Sequence, residues 1–391
     1  MSIVVVGSLN MDYVMQVDEL PRVGETVFST RYTSAPGGKG ANQAAAAARL
    51  GASVKMLGCT GNDAAGRALL ESLKGVGVDV SAVHFEPSQP TGSAFITVSA
   101  SGANTIVVHR GANFALSPEH LKEHESLIAQ ANVLVTQLEI PLEAVLSALK
   151  IARRHHVVTV LNPAPSVPLP LEALELADYL VPNETEATSL LSRLPKEGHG
   201  GSGSGASGAP DLSDLSDPRR AGAVAASLAK ATRGTVVITL GENGCVASTA
   251  STASTTGRAS GAITAGAFLT SLATEGVTQA QAFSEAQAER GSAKARPGAC
   301  KPCDGEEYIA LPAFKVKAVD TTAAGDAFVG ALAYKIDRAR ARGGTGIEAF
   351  DLVDALRFAS AAGAIATTKV GAQPSLPTLS EVAELMRTRT N

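Results

Sequence analysis

The chain has 391 residues, of which 45% are hydrophobic, enough to bury a large core as one big α/β domain or two smaller ones. Its formal net charge is −4 and its basic clusters are short, so we expect no binding to nucleic acid or to an anionic membrane surface. It begins with a strand-like run and contains no apolar stretch of ~20 residues, so we expect a cytoplasmic protein without a secretory signal.

The cysteines favour reduced thiols over a disulfide framework. Cys59 and Cys245 lie within apolar runs, as buried thiols do. Only Cys300 and Cys303 have a spacing that suggests a metal or redox site. One such pair, without a second pair or nearby histidines, is not sufficient for either site.

The first predicted strand, residues 3–7, is a short β-branched run that ends in a loop. Ligands of open α/β sheets gather at such strand ends. Asn10 and Asp12 follow two residues apart, so an extended backbone projects both side chains to one side, where they offer an amide and a carboxylate to a polyol. An Asx turn is the alternative. Alternating runs at 13–17 and 26–32, and a hairpin over 91–99 and 105–109, predict a small second sheet.

Residues 35–43 read Ala-Pro-Gly-Gly-Lys-Gly-Ala-Asn-Gln and run into an alanine-rich helix. The glycines let a ligand approach the backbone, and the helix presents its N-terminal amides. Neither the dinucleotide fingerprint nor the Walker motif is present, so neither site is supported here. Lys39 and Asn42 suit hydrogen bonding to a small polar substrate, with a plain turn before the helix as the alternative.

Buried strands near 54–58, 133–138, 157–161, 179–182 and 235–240 alternate with helices, which predicts a doubly wound, mostly parallel sheet with helices on both faces. Glu139 follows the second of these strands, where function collects in this architecture. Asn183, Glu184 and Glu186 open a helix after the fourth, either as N-capping residues or as organisers of the waters of Mg²⁺. The turn at 241–244 follows the fifth strand, where it can lie along a nucleotide.

Residues 319–330 carry the main catalytic prediction. A run of small residues ends at Asp326, and apolar residues then recur at helical spacing, so Ala323 to Asp326 are predicted to form a first helical turn. We interpret Asp326 as the base of a phosphoryl transfer, with the amides of Ala323, Ala324 and Gly325 holding the negative charge of the transferred group. The alternative is that Asp326 only complements the helix dipole.

The C-terminal part contains an alanine-rich helix over 352–367 and a loop over 369–375. If this loop folds back on Asp320 and Thr322, carbonyls with one carboxylate and one hydroxyl make an oxygen cage for a monovalent cation, although a structural turn is the default. His120 and His124 have zinc-ligand spacing in a helix predicted over 118–128 but lack a third ligand, so we do not expect zinc there. The Gly/Ser-rich segment 197–210 reads as a flexible loop, and the low-complexity insert 248–306, helix-like near 278–289, receives no function.

Several motifs in the same order carry a resemblance to a known family: Gly-Ser-Leu-Asn-Met-Asp, Gly-Gly-Lys-Gly-Ala-Asn-Gln, Gln-Leu-Glu, Leu-Asn-Pro-Ala-Pro, Pro-Asn-Glu-Thr-Glu, Thr-Leu-Gly, Asp-Thr-Thr-Ala-Ala-Gly-Asp and Gly-Ala-Gln-Pro-Ser. The chain resembles the PfkB carbohydrate kinases, and Ala-Ala-Gly-Asp in particular resembles their ribokinase branch. The resemblance implies one ribokinase-like α/β domain over 1–391, with a lid from about 12–35 and 91–109 that also forms a homodimer contact. It implies ATP-dependent phosphorylation of the 5-hydroxyl of D-ribose with Mg²⁺ and K⁺.

The same resemblance implies roles for individual residues. Those implied to bind the sugar are Asn10, Met11, Asp12, Gly38, Lys39, Gly40, Ala41, Asn42, Glu139 and Asp326. Those implied to face the nucleotide are Asn183, Thr239, Leu240, Gly241, Glu242, Asn243, Gly244, Gly325, Asp326 and Ser360. Those implied at the K⁺ site are Asp320, Thr322, Ala366, Lys369, Gly371 and Ser375, with Asn183 and Glu186 linked to Mg²⁺ through water. Ser360 departs from the larger ring-bearing side chain that bacterial relatives can carry near adenine.

Three alternatives stay open. The chain can be another PfkB kinase, acting on deoxyribose, fructose or a nucleoside, although Asp12 and Glu139 favour a small free sugar. It can be a non-catalytic sugar or nucleotide sensor on the same fold, against which the presence of Asp326 argues. A dehydrogenase is the third alternative, and the missing glycine fingerprint argues against it.

Overall fold

A computed structural model describes residues 3–194, 214–250, 299–300, 308–341 and 350–388 of the chain. The strands are β1 (Ile3–Val6), β2 (Asn10–Val17), β3 (Arg31–Gly37), β4 (Val54–Gly61), β5 (Val78–Glu86), β6 (Gly92–Ser99), β7 (Asn104–His109), β8 (Val133–Thr136), β9 (Val158–Leu161), β10 (Tyr179–Leu180), β11 (Thr235–Thr239), β12 (Cys245–Thr249), β13 (Ala299–Cys300) and β14 (Tyr308–Leu311). The helices are α1 (Lys39–Arg49), α2 (Ala64–Gly75), α3 (Pro118–Glu123), α4 (Glu125–Ala129), α5 (Leu142–Arg154), α6 (Leu171–Glu175), α7 (Glu184–Arg193), α8 (Pro218–Thr232), α9 (Ala324–Ala341), α10 (Leu352–Ala366) and α11 (Leu379–Thr388).

The large sheet has the strand order β13-β14-β12-β11-β10-β9-β8-β1-β4-β5. Neighbours from β11 to β5 pair in parallel, whereas β12, β13 and β14 add an antiparallel edge. Because side chains alternate along a strand, Ile3 and Val5 of β1 point into one core and Val4 and Val6 into another. Helices α1, α2, α9 and α10 contribute to the first core, and α5 and α8 to the second. This confirms the doubly wound prediction.

A second sheet has the order β3-β2-β6-β7. Its strand β7 is exposed along its whole length. The predicted small second sheet is therefore confirmed, but its strand β3 begins at Arg31, later than the expected position near residue 26. Residues 18–30 include Pro21 and Gly24, and they form turns and extended loop instead of a ladder.

Two helix predictions need correction. The helix expected over 118–128 is two short helices, because His124 has φ −103° and ψ 16° and ends α3 where α4 begins. Ala323, expected in a first helical turn, lies before α9 with φ 60°. Its carbonyl accepts the N–H of Ala327 at 2.8 Å, so it acts as the residue that turns the chain into the helix.

Some predictions concern residues outside the described part. These are the Gly/Ser loop at 197–210, most of the insert at 248–306 with its expected helix, and Cys303. The insert is described only at its two ends, where β12 ends and β13 pairs with β14. Within the described ranges, Cys59 and Cys245 are free and buried, and no helix has the length and apolarity needed to cross a membrane.

Candidate active site

The carboxylate of Asp326 lies on α9 against the N-terminal part of α1. The two helices pack closely because Gly330 has no side chain: a Cβ there would lie 2.6 Å from Ala46 Cβ and 2.8 Å from the carbonyl oxygen of Gln43. Asp326 Oδ2 accepts from Asn42 Nδ2 at 2.9 Å, and its Oδ1 accepts from Gln43 Nε2 at 3.0 Å. The side chains of Asn42 and Gln43, which follow the motif glycines, thus hold the proposed base.

Gln43 is itself fixed by further amides that the sequence analysis did not assign. Its Nε2 also donates to Asn162 Oδ1 at 3.1 Å, and its Oε1 accepts from Gln137 Nε2 at 2.6 Å. Since a carboxylate only accepts, the Gln43 amide must turn its nitrogen toward Asp326, and Gln137 must then donate. Gln43, Gln137 and Asn162 all lie within the motifs quoted for the resemblance, and this is the signal that identifies them.

Glu139 collects a second set of donors, at the end of β8. Its Oε2 accepts from Ser8 Oγ at 2.6 Å, Asn10 Nδ2 at 3.2 Å and the backbone N–H of Lys39 at 3.2 Å. The ends of β1 and β8 and the start of α1 therefore meet at one carboxylate, as expected of parallel strand ends. Ser8 was not predicted.

The other residues implied to bind the sugar surround this point. The N–H of Gly40 donates to Ser8 Oγ at 3.2 Å, and that of Ala41 donates to the Ser8 carbonyl at 2.9 Å. Met11 is buried and pairs with Pro36 of β3. Gly38 has φ 89°, and a Cβ there would lie 2.6 Å from the backbone nitrogen of Asn10, so only glycine fits this turn before α1.

Asp12 lies on β2 opposite β3, and its carboxylate occupies the space beside Gly37, where a Cβ would overlap Oδ2. Burial, followed by the negative charges of Glu139 and Asp326, raises the pKa of Asp12 to about 7 against the opposing effect of Lys39. Burial lowers the pKa of Lys39, but Asp326, Glu139, Glu186 and Asp12 together outweigh it, so this pKa is raised. Asp12, Glu139, Asp326 and Lys39 therefore form a single charged cluster.

Asn183 and Glu186 form a capping box at the start of α7, the structural alternative stated above. Asn183 N–H donates to Glu186 Oε2 at 2.9 Å, and Glu186 N–H donates to Asn183 Oδ1 at 2.8 Å. Burial raises the pKa of Glu186 above its usual value, partly offset by the Asn183 hydrogen bond and by Lys39. The interaction with Lys39 and Asp326 connects this helix end to the charged cluster.

The residues implied to face the nucleotide form a neighbouring group. Asn183 pairs with Thr239 in an isolated bridge, and the N–H of Leu240 donates to the Gly244 carbonyl at 2.8 Å. Between them, Gly241, Glu242 and Asn243 form one 3₁₀ turn. Ser360 of α10 approaches β12, with its Oγ 3.7 Å from Cys245 Sγ.

The predicted cation loop does fold back on Asp320. Gly371 N–H donates to Asp320 Oδ2 at 2.8 Å, and Thr322 N–H donates to Oδ1 at 2.9 Å. Two side chains of the implied site are engaged elsewhere: Lys369 Nζ pairs with Glu381 Oε1 at 2.6 Å, and Ser375 Oγ donates to the Ala372 carbonyl at 2.7 Å. Ala366 lies at the end of α10, where its carbonyl accepts the Lys369 N–H at 3.5 Å.

His120, one of the two histidines with zinc-ligand spacing, contacts another histidine and a backbone N–H. The His120 ring packs on the ring of His84, with centroids 4.2 Å apart, and its Nδ1 lies 3.4 Å from the N–H of Ser117, which it caps. Across the described ranges, no group of three or more His, Cys, Asp or Glu side chains is arranged to hold a metal ion.

Comparison with known proteins agrees with this geometry. The chain matches the pfkB family carbohydrate kinase over residues 1–265 and 290–379. It is 34% identical over 388 residues to the ribokinase of Schizosaccharomyces pombe (97% of this chain, 96% of that protein) and 33% identical over 387 residues to the ribokinase of Haemophilus influenzae (98% of each). It is also 33% identical over 379 residues to the bifunctional ribokinase/ribose-5-phosphate isomerase A of Fructilactobacillus sanfranciscensis, spanning 96% of this chain but 54% of that protein.

Solved structures show the same fold. The ribokinase of Thermotoga maritima superposes with a TM-score of 0.70 at 28% identity, covering 99% of both chains. The ribokinase of Arabidopsis thaliana complexed with ribose and ATP superposes with a TM-score of 0.71 at 26% identity, covering 99% of this chain and 98% of that one. The chain has the ribokinase-like fold and belongs to the pfkB family of carbohydrate kinases.

Proposed function

We propose that the chain is an ATP-dependent ribokinase, which converts D-ribose and ATP into D-ribose 5-phosphate and ADP. The observation that carries the proposal is the placement of Asp326: it lies at the start of α9, is held by Asn42 and Gln43, and shares one charged cluster with Asp12 and Glu139. Full-length similarity to ribokinases and the likeness to a ribokinase complexed with ribose and ATP support this choice of substrates.

In the proposed reaction, Asp326 receives the proton of the ribose 5-hydroxyl. The hydroxyl oxygen forms a bond to the γ-phosphorus as the bond from that phosphorus to the β–γ bridging oxygen breaks, and ADP leaves. The amides of Ala324 and Gly325 at the start of α9 stabilise the charge of the phosphoryl group. A Cβ on Gly325 would meet no heavy atom within 4 Å, so there is open space beside this helix end for the phosphoryl group. Ala323 contributes through the turn that leads into α9.

The sugar is proposed to bind between the small sheet and the large one. Asp12 and Asn10 of β2 face it from the lid, while Glu139, Lys39 and Asn42 face it from the strand and helix ends. Around these lie the backbone atoms of Met11, Gly38, Gly40 and Ala41. Mixed carboxylate, amide and ammonium groups suit the vicinal hydroxyls of a small free sugar because each hydroxyl both donates and accepts.

The nucleotide is proposed to lie across the neighbouring strand ends. Residues near its phosphates are Asn183 and Gly325, and residues along its remaining length are Thr239, Leu240, Gly241, Glu242, Asn243, Gly244 and Ser360. Ser360 Oγ lies 3.7 Å from Cys245 Sγ, at the position where the resemblance implies that bacterial relatives can carry a ring. The preference for ATP over other nucleotides should accordingly depend on how the base fits beside Ser360.

Mg²⁺ fits the Asn183 and Glu186 end of α7. Mg²⁺ keeps most of its water and uses few carboxylates, and Glu186 Oε2 is taken by the Asn183 N–H, so Oε1 is the oxygen left for a bound water. When bound with ATP, the ion would neutralise phosphate charge. Glu186 would then orient the water shell, and Lys39 lies close enough to lower the pKa of Glu186.

K⁺ fits the loop around Asp320 in part. Both Asp320 carboxylate oxygens already accept backbone N–H groups, so the carboxylate pins the loop, and we propose that backbone carbonyls supply the ligands. The residues concerned are Asp320, Thr322, Ala366, Lys369, Gly371 and Ser375. K⁺ would then stabilise the turn that precedes Ala323 and α9.

We also propose a homodimer through the small sheet. Its exposed apolar side chains include Tyr32, Phe95 and Val107, the last 68% exposed, and Tyr13 stacks on Phe95 and Tyr32 with ring centroids 5.4 and 6.4 Å away. An exposed apolar sheet face of this kind favours association. Sedimentation velocity of the full chain would show twice the monomer mass.

Coupled ADP release with D-ribose, with and without K⁺ and Mg²⁺, tests the function. Asp326→Asn should lower kcat by roughly 10²- to 10⁴-fold with the fold retained, because the proton acceptor is lost. Asp337→Asn is the matched control, because Asp337 is also buried on α9. Its carboxylate accepts from Asn132 Nδ2 at 2.8 Å, and the amide oxygen of an asparagine can accept the same bond, so kcat should stay near that of wild type. Turnover with deoxyribose, fructose or a nucleoside in place of D-ribose tests the alternative substrates. Ribose-independent ADP release, or near-normal turnover by Asp326→Asn, would reject the proposal.

A further inference from the structure

The side chain of Asn113 joins three segments of backbone beside the sugar site. It is 1% exposed and lies in the short 3₁₀ turn that follows β7. Its Oδ1 accepts the N–H of Leu9 at 2.9 Å, and its Nδ2 donates to the Leu9 carbonyl at 3.1 Å and to Asn10 Oδ1 at 2.7 Å. Gly92, the first residue of β6, lies against both amides, because a Cβ there would overlap Asn113 Nδ2 and Asn10 Oδ1.

These bonds determine which way the Asn10 amide points. The Leu9 N–H can only donate and the Leu9 carbonyl can only accept, so the orientation of the Asn113 amide is fixed by backbone. Asn113 therefore presents N–H to Asn10, which must turn its oxygen toward Asn113 and its nitrogen toward Glu139 Oε2, 3.2 Å away. Without Asn113, the side-chain hydrogen bond to Glu139 is the one left to orient the Asn10 amide within the described part of the chain.

Asn113 also connects the small sheet to this site. It lies where the chain returns from β7, Gly92 lies where the chain enters β6, and Asn10 is the first residue of β2. The neighbouring Ala112 N–H donates to the Pro90 carbonyl at 2.8 Å, and a Cβ on Gly111 would overlap the same carbonyl oxygen. The segment that enters β6 and the segment that leaves β7 thus run side by side. The Asn113 side chain links them to the start of β2.

We propose that Asn113 is a positioning residue for the acceptor sugar: by setting the Asn10 amide and its bond to Glu139, it fixes how both side chains meet the sugar hydroxyls. The inference rests on the proposed function, because it assigns Asn10 and Glu139 to sugar binding. Asn113 does not touch the sugar or the reacting atoms. Its effect therefore falls on sugar affinity and spares the nucleotide.

The test compares variants of the full chain in coupled ADP release, with ribose affinity also measured by calorimetry. Asn113→Asp keeps the shape and the acceptor for the Leu9 N–H but loses both donated bonds. We expect its KM for ribose to rise on the order of 10- to 100-fold, the usual effect of leaving buried polar groups unpaired, while its KM for ATP stays within about twofold. If Asn113→Asp does not fold, Asn113→Ser, which retains a small hydroxyl, takes its place.

Two controls separate positioning from a general loss of structure. Leu121→Ala truncates a fully buried side chain of the nearby α3, so it should lower thermal stability but leave the KM for ribose within about twofold. In a double-mutant cycle, Asn113→Asp added to Asn10→Ala should raise the KM little beyond Asn10→Ala alone, because the route through Asn10 is already gone.

The outcomes are distinct. A folded Asn113 variant with normal ribose KM, an equal rise in the KM for ATP, or effects that multiply in the cycle would overturn the inference while leaving the proposed function intact. A wild-type chain that releases no ADP with any sugar would overturn both. A ribose-specific rise in KM that disappears in the Asn10→Ala background supports the inference.

Discussion

The protonation of Asp12 predicts how stability depends on pH. Burial, followed by the charges of Glu139 and Asp326, raises the pKa of Asp12 from 3.8 to about 7 in the folded chain. Between these pH values the folded state binds a proton that the unfolded state has released, so the free energy of unfolding falls as pH rises. The span of roughly three pH units corresponds to at most about 4 kcal/mol, lost by the time pH passes about 7.

Asp12→Asn removes this titration with little change of shape. We therefore expect the free energy of unfolding of the variant, relative to wild type, to increase by up to about 4 kcal/mol between about pH 4 and about pH 7.5. Urea unfolding at a series of pH values measures both proteins. The difference between variant and wild type is used because other groups also titrate. The pKa values of Asp79 and Glu381 are lowered to about 2, so their contribution to the free energy of unfolding is lost toward acid in both proteins alike. If the free energies of unfolding of the two proteins change in parallel between about pH 4 and about pH 7.5, the argument is refuted.

Two further substitutions test local geometry. Gly37→Ala places a Cβ where Asp12 Oδ2 lies, so the carboxylate must move. We expect the KM for ribose to rise about tenfold or more. The control is Gly75→Ala, whose added Cβ would meet no heavy atom within 4 Å and should leave steady-state kinetics unchanged. Ala323→Gly relieves a left-handed backbone conformation at φ 60° and should raise the free energy of unfolding by up to about 1 kcal/mol, measured by urea unfolding. A loss of stability in Ala323→Gly would contradict this reading of the turn.

The pattern of β-branched runs alternating with amphipathic helices was sufficient to predict the doubly wound sheet. Each strand of such a sheet is buried on both faces, so its hydrophobicity is visible locally without knowledge of its neighbours. The position of Asp326 in the first turn of α9 was predicted from apolar residues at helical spacing, whereas Ala323, expected in the same turn, lies before the helix. The strand expected from residue 26 is shorter than predicted, because its register with β2 begins at Arg31, directly after Thr30, whose N–H donates to the Gln16 carbonyl at 2.8 Å.

The site itself depended on tertiary structure. Motifs marked Asn42 and Asp326 separately, but only the packing of α1 on α9, which the absence of a side chain at Gly330 permits, joins residues 284 positions apart in one hydrogen bond. The sequence by itself determined which segments are strands and helices and which of them carry polar ends. The folded chain decided which polar ends meet, because an amide or carboxylate acquires its role from the donors and charges around it, and those come from distant segments.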